Sequence, residues 1–253
     1  MLNKFMSLEQ FILIFAVTTF AATYGIMFGS GSFVILPTLF LLGVDPKVAI
    51  ASNLTAALAQ LIAGFLQFYR YKKIHFDVIK KVIPFYAIGA IIGAMALLNI
   101  EGELIKKIIA VAIIFFVILS LFNIERLTQY NTRISLWKRI VGGVTSFLNG
   151  IYQIAITAGA GTISTFILIY FYGLSLKRAI GTKQLIHFTS VGLGALILAS
   201  RGLVDWYVVA PMALGRIAGA LIGAQIIVKT KSKILSYVFT IVVMLLALRI
   251  LFF

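Results

Sequence analysis

Apolar residues run in long blocks separated by short polar or glycine-containing stretches, at 8–28, 33–43, 47–68, 82–99, 107–124, 140–158, 163–173, 184–200, 207–227 and 234–253. Eight of these blocks have the length of a membrane-crossing helix, about 20 residues. The other two, 33–43 and 163–173, hold only eleven residues. As helix they cover about 16 Å, roughly half of the ~30 Å hydrocarbon core. Each short block follows a glycine-rich break, GSGS at 29–32 and GAGT at 159–162. Interrupted helices beside long ones are what transporter binding sites are built from.

The pattern occurs twice. A gapless shift of 130 pairs Gly29 with Gly159, Gly31 with Gly161, Gly43 with Gly173 and Gly64 with Gly194, and it lays GAIIGA (89–94) on GALIGA (219–224). It also pairs Lys47 with Lys177, Ala49 with Ala179, Ile50 with Ile180 and Ser52 with Thr182. Six of the eight glycines between Gly25 and Gly102 land on glycine, where composition alone gives about 0.7. The expected architecture is therefore an all-α integral membrane protein of two repeats, 1–124 and 140–253, joined by a basic linker, 125–139. Each repeat has four long apolar helices and one short interrupted half-helix. Lys4 followed by an apolar run has the look of a signal sequence, but 8–28 pairs with the internal segment 138–158, so it is expected to be retained.

Composition agrees. The chain of 253 residues is 62% hydrophobic and 11% charged, a balance outside that of soluble domains. Its net charge is +15. Because the charges gather in short loops, they report orientation in a membrane and not a nucleic-acid partner. The loops 69–81, 125–139, 174–183 and 228–233 are all basic. Parallel repeats would put the last two outside; inverted repeats put all four in the cytoplasm, so inversion is expected, with both chain ends outside. Inversion needs an odd number of crossings per half. The short helix supplies it either as a fifth crossing or as part of a re-entrant pair with 8–28. There is no cysteine and there are two histidines, which excludes disulfides, thiol nucleophiles and a structural zinc site. No nucleophile–base cluster is visible, GSGS follows no strand, and neither an enzyme nor a cofactor is expected. GAIIGA and GALIGA are expected to be helix-packing faces, within the chain or in a homodimer.

A glycine-rich break, an apolar tetrad with Pro37, a glycine and an Ala-x-Ala/Gly-Ser/Thr run, all in duplicate, together with GTKQLIHFTS at 181–190, resemble the TauE/SafE-type sulfite exporter family. The likeness spans nearly the whole chain. Ser30 and Ser32 stand where that family usually has glycine, and Val191 where an Asn often follows the Phe-x-Ser serine. The resemblance implies a multi-pass carrier in the cell (inner) membrane for small sulfur oxyanions or organosulfonates, usually exported. An anion channel, or an uptake carrier for another small organic anion, is the alternative.

Candidate chemistry is sparse. Arg216 lies mid-block among apolar residues, where a charge costs about 2.5–3.5 kcal/mol unless a cavity or partner receives it. A bound anion would serve; backbone carbonyls are the plainer alternative. Lys183 aligns with Asn53 and is a second candidate donor, against the alternative that it snorkels from a helix end to the surface. His187, one turn beyond Lys183, is a candidate proton carrier or donor, against simple packing. Ser32 and Thr162 are placed as N-caps of the short helices, whose positive ends would face an anion. Gly31 and Gly161 at the breaks, and Ser52 and Thr182 in the paired runs, complete the expected substrate site. Asn53, Gln60, Thr55, Asn149, Tyr152, Gln153 and Thr157 are further polar groups that need partners in lipid surroundings. All seven acids lie in loops or at block ends, so no carboxylate is at hand to couple a sodium ion or proton.

Overall fold

A computed structural model describes residues 7–28, 31–121 and 136–229. Among these residues every regular element is a helix, nine in all: α1 (Leu8–Phe28), α2 (Ser32–Leu41), α3 (Pro46–Arg70), α4 (Phe76–Asn99), α5 (Gly102–Leu121), α6 (Leu136–Ala155), α7 (Ala160–Tyr170), α8 (Leu176–Ser200) and α9 (Trp206–Lys229). The expected block 234–253, most of the linker and the basic stretch 230–233 lie outside the described residues. Four helices, within Leu8–Ile26, Pro46–Arg70, Phe76–Asn99 and Trp206–Ile226, are long and apolar enough to cross a membrane. Helix α8 is equally long, but Lys183, Gln184 and His187 lower its apolarity.

The shift of 130 carries α3 onto α8 and α4 onto α9 with identical ends. Local chemistry explains the boundaries. Asp45 caps α3, its Oδ1 accepting from the backbone N–H of Lys47 (2.9 Å) and Val48 (3.2 Å), with Pro46 in the first turn. The equivalent glycines Gly43 and Gly173, at φ +80° and +67°, follow the two short helices. In that left-handed conformation they release the chain from the helix at little steric cost.

Three expectations are corrected. Helix α8 begins at Leu176 and α4 at Phe76, so Lys177, Arg178, Lys183, Lys80 and Lys81 are helical; the connections shrink to residues 171–175 and 71–75. A pattern reading ends a helix at its first charge, whereas here the charged side chains find partners or an exposed face. Ser32 is not the cap of α2. Gly31 holds that place without a side-chain bond, and the Ser32 hydroxyl accepts from Asn53 Nδ2 at 3.2 Å. Nor does Thr162 cap α7, which starts earlier, behind Gly159 in the left-handed conformation.

Packing exchanges partners between the halves. Helix α1 lies against α9 as its counterpart α6 lies against α4, and α3 contacts α9 as α8 contacts α4. The GAIIGA and GALIGA faces make these contacts within the chain: a Cβ on Gly93 would strike the Ile151 carbonyl of α6, and one on Gly223 the Thr23 carbonyl of α1. Helices α3 and α8 meet at the centre and run antiparallel. Ser52, early in α3, accepts from the backbone N–H of Asp205 beyond the end of α8 at 2.9 Å. Thr182, early in α8, accepts from the N–H of His75 beyond the end of α3 at 3.0 Å. These two bonds are related by the same shift of 130.

Candidate transport site

Between α3, α8 and α9, at the two breaks α1–α2 and α6–α7, lies a partly open cavity of about 90 Å³. A single water needs roughly 10–15 Å³ of such space, so the cavity has room for a small polyatomic ion and little more. Both halves line it: Gly31, Ser32, Asn53 and Gln60 from the first, Gln153, Thr157, Gly161, Lys183, His187 and Arg216 from the second.

Arg216 is 4% exposed and reaches across from α9 to α3, its Nη1 donating to Gln60 Oε1 and its Nη2 to Asn53 Oδ1. Asn53 in turn donates to Ser32, so α9, α3 and α2 are joined at one cation. The plainer account, backbone carbonyls around the arginine, is replaced by two side-chain amides. They use one N–H on each arm of the guanidinium and leave Nε buried without a partner. Lys183 is 3% exposed, so it does not snorkel. Its Nζ donates to the carbonyl of Gly161 at 3.3 Å and to Thr165 Oγ1 at 3.2 Å, which leaves one of three N–H donors. Thr157 Oγ1, like Arg216 Nε, is a buried polar atom of the cavity lining without a partner. Thr157 sits at φ +67°, a strained conformation for a β-branched residue, in the break between α6 and α7.

No carboxylate answers these cations. The one ion pair among the described residues is Lys106–Glu103 at 2.7 Å, on the exposed start of α5, and no metal-binding cluster is present among them. Two buried cations lining one cavity, held only by neutral partners, leave a net positive hole.

His187 lines the same cavity on the α7 side and belongs to a second polar cluster. Its Nε2 lies 2.6 Å from Ser164 Oγ, its ring is tilted against Tyr86, and Tyr86 and Asn149 both reach Ser164 at 2.8 Å.

Of the expected site residues, Arg216, Lys183, Asn53, Ser32, Gly31, Gly161 and His187 line the cavity; Thr162, Ser52 and Thr182 do not. Ser52 and Thr182 precede Asn53 and Lys183 by one residue. The ~100° turn between successive helical positions points them at the neighbouring loops, where they make the two bonds already described. Gln60, Gln153 and Thr157 were visible only as unassigned polar groups. Tyr86, Ser164, Thr165 and Gln184 gave no signal in the apolar pattern, yet the repeat held one: the shift of 130 lays Tyr86 on Arg216.

Helices interrupted at half length, with a buried, polar, cationic cavity where the two halves meet, define the chain as a helical membrane protein of the transporter class. The chain belongs to the sulfite exporter TauE/SafE family, whose profile matches residues 14–250. It is similar to a probable membrane transporter protein of Haemophilus influenzae, 23% identical over 228 residues that cover 90% of this chain and 89% of that one. The probable membrane transporter protein YjnA of Bacillus subtilis is 25% identical over 248 residues, 90% of this chain and 94% of its own. The probable membrane transporter protein YfcA of Escherichia coli is 23% identical over 245 residues, 94% and 88% of the two chains. No solved structure gives a significant match.

Proposed function

We propose that the protein is a secondary transporter that moves a small sulfur oxyanion, sulfite or a compact sulfonate, out of the cell by alternating access between two inverted halves. The observation that carries the reading is the pair of buried cations. Arg216 and Lys183 share a cavity of about 90 Å³ in which every polar partner is neutral. Each cation is costly at membrane depth, and a bound anion offsets both costs at once. Two positive charges favour a divalent anion over a monovalent one. The free Arg216 Nε–H, the remaining Lys183 N–H and the Thr157 hydroxyl are the donors it would take. The antiparallel run of the equivalent helices α3 and α8 supports inversion, as do the basic loops. The small volume favours compact ions over long organosulfonates. The cell membrane is the expected location.

Export of an anion needs no coupling ion. An inside-negative potential favours outward movement by about 2.3 kcal/mol per charge per 100 mV, and a dianion gains twice that. The decisive measurement is thermal unfolding of the purified protein with sulfite, thiosulfate, sulfate or a short sulfonate, against chloride at equal ionic strength. A ligand at a hundred times its Kd adds about 2.7 kcal/mol of stability. A rise in Tm confined to the sulfur oxyanions is expected. Equal responses to all salts would overturn the reading.

A further inference from the structure

The cluster of Tyr86, Asn149, Ser164 and His187 has a hydrogen-bond count that can be balanced in two ways. Ser164 Oγ has four neighbours: Tyr86 Oη (2.8 Å), Asn149 Nδ2 (2.8 Å), the Ala160 carbonyl (2.9 Å) and His187 Nε2 (2.6 Å). A hydroxyl has one hydrogen and two lone pairs, so it serves three of the four at a time. With His187 neutral and Nε2 accepting, the serine hydrogen goes to His187. Tyr86 then donates to Ser164, and Asn149 donates to Tyr86 Oη (2.8 Å) and Ser164. With Nε2 protonated, the ring donates to Ser164 and the serine hydrogen turns to the Ala160 carbonyl. Asn149 then uses Tyr86 and the same carbonyl, 3.2 Å away. The hydroxyl, Asn149 amide and Nε2 hydrogens have acceptors in both states, and hydroxyl rotations with a shift of one Asn149 N–H separate them.

We propose that His187, with Ser164, Tyr86 and Asn149, is a proton-binding site that loads together with the anion, so that the substrate moves with a proton in the same direction. The inference rests on the anion-site reading above. The proton comes from water in the cavity that His187 lines and is held on Nε2. The two sites share the first turn of α7: the Ala160 carbonyl serves the proton cluster and the adjacent Gly161 carbonyl serves Lys183. The charged and titratable groups around His187 are Lys183 one turn away on α8, Tyr86 on α4 with Tyr172 beyond it, and Arg216 of α9 across the cavity. Helices α3 and α7 present only neutral side chains to the cavity. With no carboxylate among these groups, a proton on His187 adds a third positive charge that an empty site opposes and an anion relieves. By reciprocity the anion must raise the proton affinity of the site by the factor by which the proton raises that of the anion.

Calorimetric binding of thiosulfate, which carries no proton of its own between about pH 5 and 8, and of sulfite corrected for its own titration, tests this in buffers of different ionisation enthalpy. Up to one proton taken up per anion is expected, with affinity falling by up to about tenfold per pH unit as pH rises through the site's titration. In His187→Gln proton uptake should vanish and whatever affinity remains should be flat with pH. In Ser164→Ala the protonated ring loses its acceptor, and the pH midpoint should move down. Anion binding without proton uptake in the unmodified protein would overturn the proton site while sparing the anion site. Undiminished uptake in His187→Gln would overturn the assignment to His187. Binding of neither anion would overturn both readings.

Discussion

Replacing Arg216 by alanine removes one of two buried cations and both bonds that tie α9 to α3. On the binding side, a hydrogen bond to a charged group contributes about 1.5–3 kcal/mol. Unit charges 4 Å apart interact by about 4 kcal/mol at an effective dielectric constant near 20, part of which water entering the vacated space returns. A net loss of about 3 kcal/mol follows, more than a hundredfold in anion affinity. On the stability side the terms oppose. Gln60 and Asn53 lose their donor, at about 1–3 kcal/mol each, while removal of a mid-membrane charge recovers about 2.5–3.5 kcal/mol. The variant is therefore expected to fold and to fail in binding and flux. Arg216→Lys keeps the charge but not the planar fork that holds two amides and leaves Nε free, and should fall between, about tenfold weaker. The assay is the anion-dependent shift in Tm for each purified variant, followed by flux in proteoliposomes. If Arg216→Ala unfolds normally and keeps its anion response within twofold of the original concentration dependence, Arg216 is not in the site and the two-cation argument fails.

Cysteines placed singly at Lys73 and Arg201, in a chain that has none, should react on opposite sides of the membrane. Labelling of both from one side by an impermeant reagent would rule out inverted halves. Gly93→Ala and Gly223→Ala should each cost about 1–3 kcal/mol in detergent unfolding, because the new Cβ meets a backbone carbonyl of the neighbouring helix; Gly192→Ala, whose nearest neighbour is Leu58 at 3.9 Å, should be neutral or stabilising. Ser52→Ala and Thr182→Val each strip the acceptor from a partly buried N–H, at about 1 kcal/mol, and should weaken stability while leaving the anion's affinity within a few-fold, since neither lines the cavity. Efflux from proteoliposomes should quicken with an inside-negative potential and ignore sodium; a sodium requirement would exclude the electrogenic route.

Hydrophobic spacing determined the helical class and the two short helices, and the glycine register pointed to the repeat. The helical class and the short helices are properties of local sequence: an apolar block has one way to satisfy its backbone in lipid, and eleven helical residues cover only about half of the hydrocarbon core. Arg216 and Lys183 were legible for the same reason, since a charge inside an apolar block has no local account of itself. Tertiary structure decided their surroundings. Gln60 and Asn53, 156 and 163 positions from Arg216, become its partners only when α3 and α9 cross. Ser52 and Thr182 read as site residues because they sit in the repeated run. One residue of helical rotation sends them instead to the loops that begin α9 and α4. Nothing local places the cap of α2 on Gly31 and frees the Ser32 hydroxyl for Asn53. Nor does Tyr86 announce itself in an apolar helix, although the repeat pairs it with Arg216; its role depends on Asn149, Ser164 and His187, which three other helices bring to it. Periodicity along the chain fixes which face of a helix is apolar, but the partner of a buried polar group is set by which helix lies across from it, and that information is long-range.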